Sequence, residues 1–188
     1  MRNGILKRQE IAQELVQMGL ADQEMRTKHF EKKIAGSWDE NLALRNVQRL
    51  KEIIQEIGWP TINKVGSEAS WAAWLIVQHA DHDPQFQKEC LNLIEMAFQR
   101  KDVHPVNLAF LTDRVAKNFG QEQTYGTNRK ALIKDPDYLD DRRRSIGLLP
   151  SNFEQKLAEG KATPEDIERY HSIKAQPKIG PFLILTFY

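Results

Sequence analysis

The sequence predicts a mainly α protein, a compact multi-helix domain carrying one short β-hairpin. Three observations lead there. Apolar residues recur at helical spacing along most of the 188 residues. Proline and glycine mostly stand where helices start and stop. One turn-rich stretch, residues 120–135, interrupts the helical pattern with two short β-leaning runs.

Residues 5–34 read as the first helix, with Ile5, Ile11, Leu15, Met18, Leu20 and Met25 apolar, a break near Gly19 and an end at Gly36. Ser37 or Asp39 can cap the second, whose stripe runs through Leu42, Val47, Leu50, Ile53, Ile54 and Ile57 to Gly58. Residues 59–62 are then extended, because the position before Pro60 is pushed out of helical space. Gly66-Ser67 opens the third helix, with Ser67 as its cap. Trp71, Trp74 and Leu75 share one side of that helix, and Ala72, Ile76 and Val77 fill much of the rest. A helix apolar all round in such a chain is a buried one. Asp83-Pro84 starts the next as cap and first-turn proline, and it ends near Asp102. His104-Pro105 opens another, closed by Gly120. Residues 123–127 and 131–134 form the expected hairpin. A charged helical turn follows over residues 137–145, then helices over 152–159 and 164–174, the last capped by Thr163 with Pro164 behind it.

The length fits a single globular domain, residues 1–188. No internal repeat, low-complexity tract or linker divides it. With 27 basic and 26 acidic residues the net charge of +1 gives no electrostatic case for nucleic acid or an acidic membrane. No stretch reaches the roughly 18 apolar residues of a membrane span, and the N-terminus lacks the apolar core of a signal peptide. The last eight residues, PFLILTFY, read as a terminal strand or a segment packed under a helix. The one cysteine, Cys90, sits among Leu91, Leu93 and Ile94 and reads as a buried packing thiol. It excludes an internal disulfide, and a reducing cytoplasmic setting suits it.

Candidate chemistry begins at the end of the buried helix. Gln78 and His79 are polar residues delivered by an apolar element, followed by Asp81, His82 and Asp83. A core histidine with one satisfied nitrogen is one reading of His79. The other is a general acid or base, because a helix C-terminus and nearby carboxylates favour the imidazolium while burial opposes it. The H-x-D-H-D string also carries ligand types for a metal. Residues adjacent in a turn seldom converge on one ion, however, and Asp83 is explained as a cap, so no metal ligand and no cofactor is assigned. Asp113-Arg114, a charged pair on a largely apolar helix, reads either as an internal ion pair or as a functional pair. In the second case Asp113 orients a histidine and Arg114 grips a carboxylate or phosphate. Gln123, Tyr125 and Thr127 alternate along the first hairpin strand and so share a face. The run from Asp140 to Arg144 reads as a solvated, self-neutralising charge cluster or as a source of one inward arginine. Asp22 and Arg26 read as an ordinary i,i+4 pair.

Taken together, Trp59-Pro60, Val65-Gly66, Gln78-His79-Ala80-Asp81, Gln87, Leu111-Thr112-Asp113-Arg114, Gln123, Tyr125-Gly126-Thr127, Arg142-Arg143 and Gly147-Leu148 resemble the signature of a bacterial family of domains of unknown function. The likeness covers about residues 22–150 and leaves residues 151–188 as a helical extension. It lends no substrate or mechanism, but it implies that these polar residues form one recurring set. On that basis the chain is expected to be a small enzyme of hydrolase or group-transfer type. His79 and Asp113 are its catalytic residues, and Gln78, Gln87, Arg114, Gln123, Tyr125, Thr127, Arg142 and Arg143 bind a small polar or anionic substrate. The rival readings are a non-catalytic protein that recognises a peptide, a protein partner or a small polar ligand through the same pocket, and a buried hydrogen-bond network that only fixes the fold.

Overall fold

The buried helix predicted around Trp71 and Trp74 lies at the centre of the structure, a computed structural model that describes residues 2–128 and 130–175. This helix, Ser67–Gln78, is buried at every position from Ala69 to Gln78. The Trp71 and Trp74 rings lie 4.7 Å apart on one side of it. Its alanines leave room for neighbours: the long helix Arg2–Arg26 (α1) packs along it, and Glu40–Ile57 (α2) and the short turn of helix Ile62–Val65 (α3) flank it. Numbered in chain order, the central helix is α4. Pro84–Gln99 (α5) and Pro105–Asn118 (α6) pack on each other, and both touch α4. Leu15, Leu50, Ile53 and Ile94 lose all their solvent exposure in this arrangement, each fully buried side chain contributing about 1.5–3 kcal/mol. Cys90 is buried in the same core, and burial pushes its thiol well above the ordinary range. No described helix is long and apolar enough to cross a membrane.

The boundaries follow capping chemistry. Asp39 accepts from the Leu42 N–H at 3.2 Å, Asp83 from Phe86 at 3.1 Å, and Thr163 from Asp166 at 3.2 Å. Two expectations are corrected. The first helix does not break at Gly19: α1 runs to Arg26 and continues as a π-helical turn, Thr27–Glu31. Ser67 does not cap α4. Gly66 takes the cap position with φ of 85°, open to glycine alone without strain, and the Ser67 hydroxyl instead meets His104 Nε2 at 2.9 Å. Residues 59–61 stay outside any helix as expected, Thr61 being extended at φ −76° and ψ 165°, and the short turn α3 begins at Ile62.

The β-hairpin is also corrected. Among the described residues there is no strand, only an isolated parallel bridge between Gln123 and Ile133. The donors that an antiparallel ladder would need are taken elsewhere. Thr124, Tyr125 and Thr127 all give their N–H groups to Asp113, and the Gln123 side chain holds the turn by bonding Asn128 and Ala131.

Beyond that loop lie the helices Leu139–Ser145 (α7), Phe153–Ala158 (α8) and Pro164–Ala175 (α9). The charge cluster at the start of this region is not simply solvated. Arg143 is buried, Arg144 reaches the buried Asp166 at 2.9 Å, and Asp140 bonds Ser151 and Lys156. These ties join α7 to the two helices that follow. The PFLILTFY segment lies outside the described residues.

Candidate functional site

Four elements meet at the C-terminal end of α4. Helix α1 contributes Asp22 and Arg26, α4 ends in Gln78 and His79, the following turn brings Asp81, and α6 presents Asp113, Arg114, Lys117 and Asn118. The loop 124–128 closes the far side. The imidazole of His79 has its Nδ1 2.6 Å from Asp22 Oδ2. Asp22 is only 3 % exposed and also accepts from Arg26 Nε, 3.0 Å from the same Oδ2 and 3.2 Å from Oδ1. The guanidinium of Arg26 in turn stacks on Trp38, 5.3 Å from the ring centre. The second ring nitrogen of His79, Nε2, has no hydrogen-bond partner among the described residues, and the side chain keeps 19 % of its surface open.

Burial is the largest influence on His79 and pulls its pKa below the ordinary imidazole value. Asp22 opposes that, and the charges of Arg26 and Arg114 add to it. The expected preference of the helix terminus for an imidazolium is therefore outweighed by desolvation. For Asp22 burial is again the largest influence and acts upward. The hydrogen bond and charge of His79, together with Arg26, outweigh it and hold the carboxyl below its usual range. The result at neutral pH is a neutral ring that donates from Nδ1 to a carboxylate, leaving the Nε2 lone pair free. That is the tautomer a general base requires.

A cleft of about 450 Å³ opens at Gln78, the residue before His79, and is lined besides by Phe110, Asp113, Arg114, Lys117, Thr127 and Asn128; His79 and Asp22 are not among its lining residues. Arg114 bridges the two features. Its Nη1 lies 3.1 Å from Asp81 Oδ2 on the turn after His79, its other face lines the cleft, and its charge reaches the imidazole. Asn118 and Gln87 brace that turn: Asn118 donates to Asp81 at 2.9 Å and to Gln87 at 2.7 Å, while Gln87 donates to the Val77 carbonyl at 3.0 Å. The members of the H-x-D-H-D string part company here. His79 turns to Asp22, Asp81 to Arg114, and Asp83 to the α5 amides and Lys51 at 2.7 Å, with His82 exposed.

A family model described as a family of unknown function, DUF6624, matches residues 9–162. The chain belongs to that family. The match is wider than the 22–150 span carried by the signature residues, taking in most of α1 as well as α8. No curated protein and no solved structure matches the chain.

Within this DUF6624 domain the expected site residues divide. Gln78, Asp113, Arg114 and Thr127 line one cleft, and His79 does not line it. Tyr125 faces another hollow, between α5 and α6, with Asn92, Glu95 and Thr112. Asp113 does not orient His79. It is 1 % exposed, and its oxygens accept from Thr124, Tyr125 and Thr127 at 2.7, 2.9 and 2.8 Å, so it shapes the loop that walls the cleft. Gln87 and Gln123 are fully buried with their amides bonded to the chain itself, and neither lines the cleft. The two arginines of α7 are likewise spent on backbone carbonyls. Arg142 bonds those of Thr124, Lys134 and Asp135, and Arg143 those of Tyr125 and Leu149, both at 2.7 Å.

The residue that sequence reasoning missed is Asp22. Its signal was present: the helical stripe Ile11, Leu15, Met18, Asp22, Met25 places a carboxylate in line with apolar positions that are buried or, at Met18, partly buried, where a solvated ion pair does not belong. Asn118 was missed too, having no such mark.

Proposed function

We propose that the chain is a small enzyme of hydrolytic or group-transfer type in which His79 is the general base and Asp22 its orienting carboxylate. The 2.6 Å contact between Asp22 and Nδ1 of a ring whose Nε2 stays unengaged carries this reading. In the hydrolytic form, Nε2 takes a proton from water as the water oxygen bonds to the substrate's electrophilic centre. The same proton passes from the imidazolium to the leaving atom as its bond breaks, so the net change is addition of water. Asp22 stabilises the transient imidazolium in a site where desolvation otherwise opposes it. Arg114 and Lys117 hold an anionic part of the substrate in the adjoining cleft, which keeps the reacting bond near Nε2. A general base so placed contributes about 10²–10⁴ in rate.

The test is nitrogen-resolved NMR of His79 together with turnover assays on carboxylate-bearing esters, amides and phosphate monoesters. The expected result is an Nδ1–H tautomer at pH 7, and hydrolysis of one class that His79→Gln abolishes while leaving binding intact. An Nε2–H tautomer, or turnover unaffected by His79→Gln, refutes it. Ligand binding at the cleft with no turnover of any class would favour the recognition-only reading instead.

A further inference from the structure

The cleft at Gln78 is not a uniformly cationic hole, and the unmatched buried atom of that residue says what else its ligand must carry. Gln78 is 6 % exposed and lines the cleft, yet its Oε1 is buried with no hydrogen-bond partner. A buried carbonyl left unpaired is costly, and native structures rarely keep one without a use. The same cleft is lined by donors with capacity to spare. Arg114 uses only Nη1 on Asp81, and Lys117 makes no ion pair among the described residues. The Thr127 hydroxyl makes no hydrogen bond there either. Phe110, edge-on to Trp74 at 6.3 Å between ring centres, supplies an apolar wall between these polar ends.

We propose that the cleft recognises a carboxylate lying next to an amide N–H, as in an N-acyl amino acid or the C-terminal residue of a peptide. The carboxylate sits between Arg114 and Lys117, and the N–H donates to Gln78 Oε1. An inorganic anion or a simple carboxylate would satisfy the cations and leave the Gln78 carbonyl orphaned, so it is the weaker ligand. This inference rests on the cleft being the substrate site proposed above, and it names the substrate class: an amide bond one atom away from the carboxylate's carbon.

The experiment is a binding series on the full chain followed by ¹H–¹⁵N NMR shifts, using N-acetylglycine, acetoxyacetate and acetate. Acetoxyacetate keeps the carboxylate and shape but replaces the N–H by an ester oxygen. N-acetylglycine is expected to bind about tenfold tighter than acetoxyacetate, the factor that follows from an unpaired buried carbonyl at the low end of its cost. Acetate should be weaker still. The preference should vanish in Gln78→Leu, while Arg114→Ala weakens all three. Equal binding of the amide and ester, a preference that survives Gln78→Leu, or acetate as tight as N-acetylglycine overturns the proposal. The wild-type comparison decides it even if Gln78→Leu fails to fold. Repeating the series on His79→Gln separates the two readings. A retained preference there with no turnover in any form of the protein upholds the ligand and rejects the general base. Turnover without the preference does the reverse.

Discussion

Asp22 and His79 are 57 residues apart in the chain and 2.6 Å apart in space. One stands late in α1, the other at the first residue beyond α4, and the pairing holds only because these two helices pack lengthwise. Everything proposed about catalysis follows from which nitrogen that carboxylate engages.

Asp22→Asn keeps the shape and removes the charge. The imidazolium loses its partner, so the His79 pKa falls further and the tautomer is no longer enforced. Turnover is expected to drop about 10²–10⁴-fold, with Arg26 left beside a neutral group. Steady-state kinetics and the His79 nitrogen shifts check both effects. Unchanged kinetics alongside a changed tautomer would dismiss Asp22 as an orienting residue.

His79 and His104 both have pKa values lowered by burial. Below the ordinary histidine value near 6.5, the unfolded chain binds protons that the folded chain declines. Stability is therefore full above that pH and falls as pH drops toward the depressed folded values. Urea midpoints should decrease from pH 7.5 to pH 5.5, and His79→Gln should flatten part of that slope. A midpoint independent of pH across this window contradicts the buried, neutral state of both rings.

Asp113→Ala removes the acceptor of three loop amides. Hydrogen bonds to a charged group contribute about 1.5–3 kcal/mol each, so a loss on the order of 3 kcal/mol or more is expected. Hydrogen exchange at Thr124, Tyr125 and Thr127 should accelerate, while the His79 tautomer stays as in the parent protein. If the histidine signal changes and the loop amides remain protected, Asp113 serves the imidazole after all.

Arg114→Ala gives the opposite pattern. Its ion pair with the half-exposed Asp81 is the kind worth about 0–1 kcal/mol, so melting should scarcely move. Affinity for a carboxylate-bearing ligand should fall by about tenfold or more, the loss expected for a charge-assisted contact. Calorimetry and thermal melts read the two separately. Tight binding in the variant would take Arg114 out of the site.

Much of the fold was legible because it is written in local chemistry. Asp83-Pro84 and Thr163-Pro164 state a helix start in two residues, and α4 announces its burial by having no polar side. The hairpin was misread for an instructive reason. Alternation in Gln123, Tyr125 and Thr127 has the period of a strand, but a carboxylate eleven residues upstream of the first captured amide claims the donors a ladder would use. Gly126, at φ of 65° and tight against Leu139, bends the segment instead of extending it. The same capture explains why Gln123 and Arg143 look like ligand groups in the sequence and act as braces in the molecule.

By itself the sequence determined that this is a helical protein with one wholly apolar helix ending in Gln78 and His79, since spacing and capping are properties of neighbouring residues. Tertiary structure alone decided that Asp22, not Asp113, is the partner of His79, and that Gln78, Arg114 and Thr127 share a cleft while Tyr125 lies outside it. A hydrogen bond depends on where helices cross. The crossing of α1 over α4 is set by the packing of their side chains, which no stretch of either helix specifies alone.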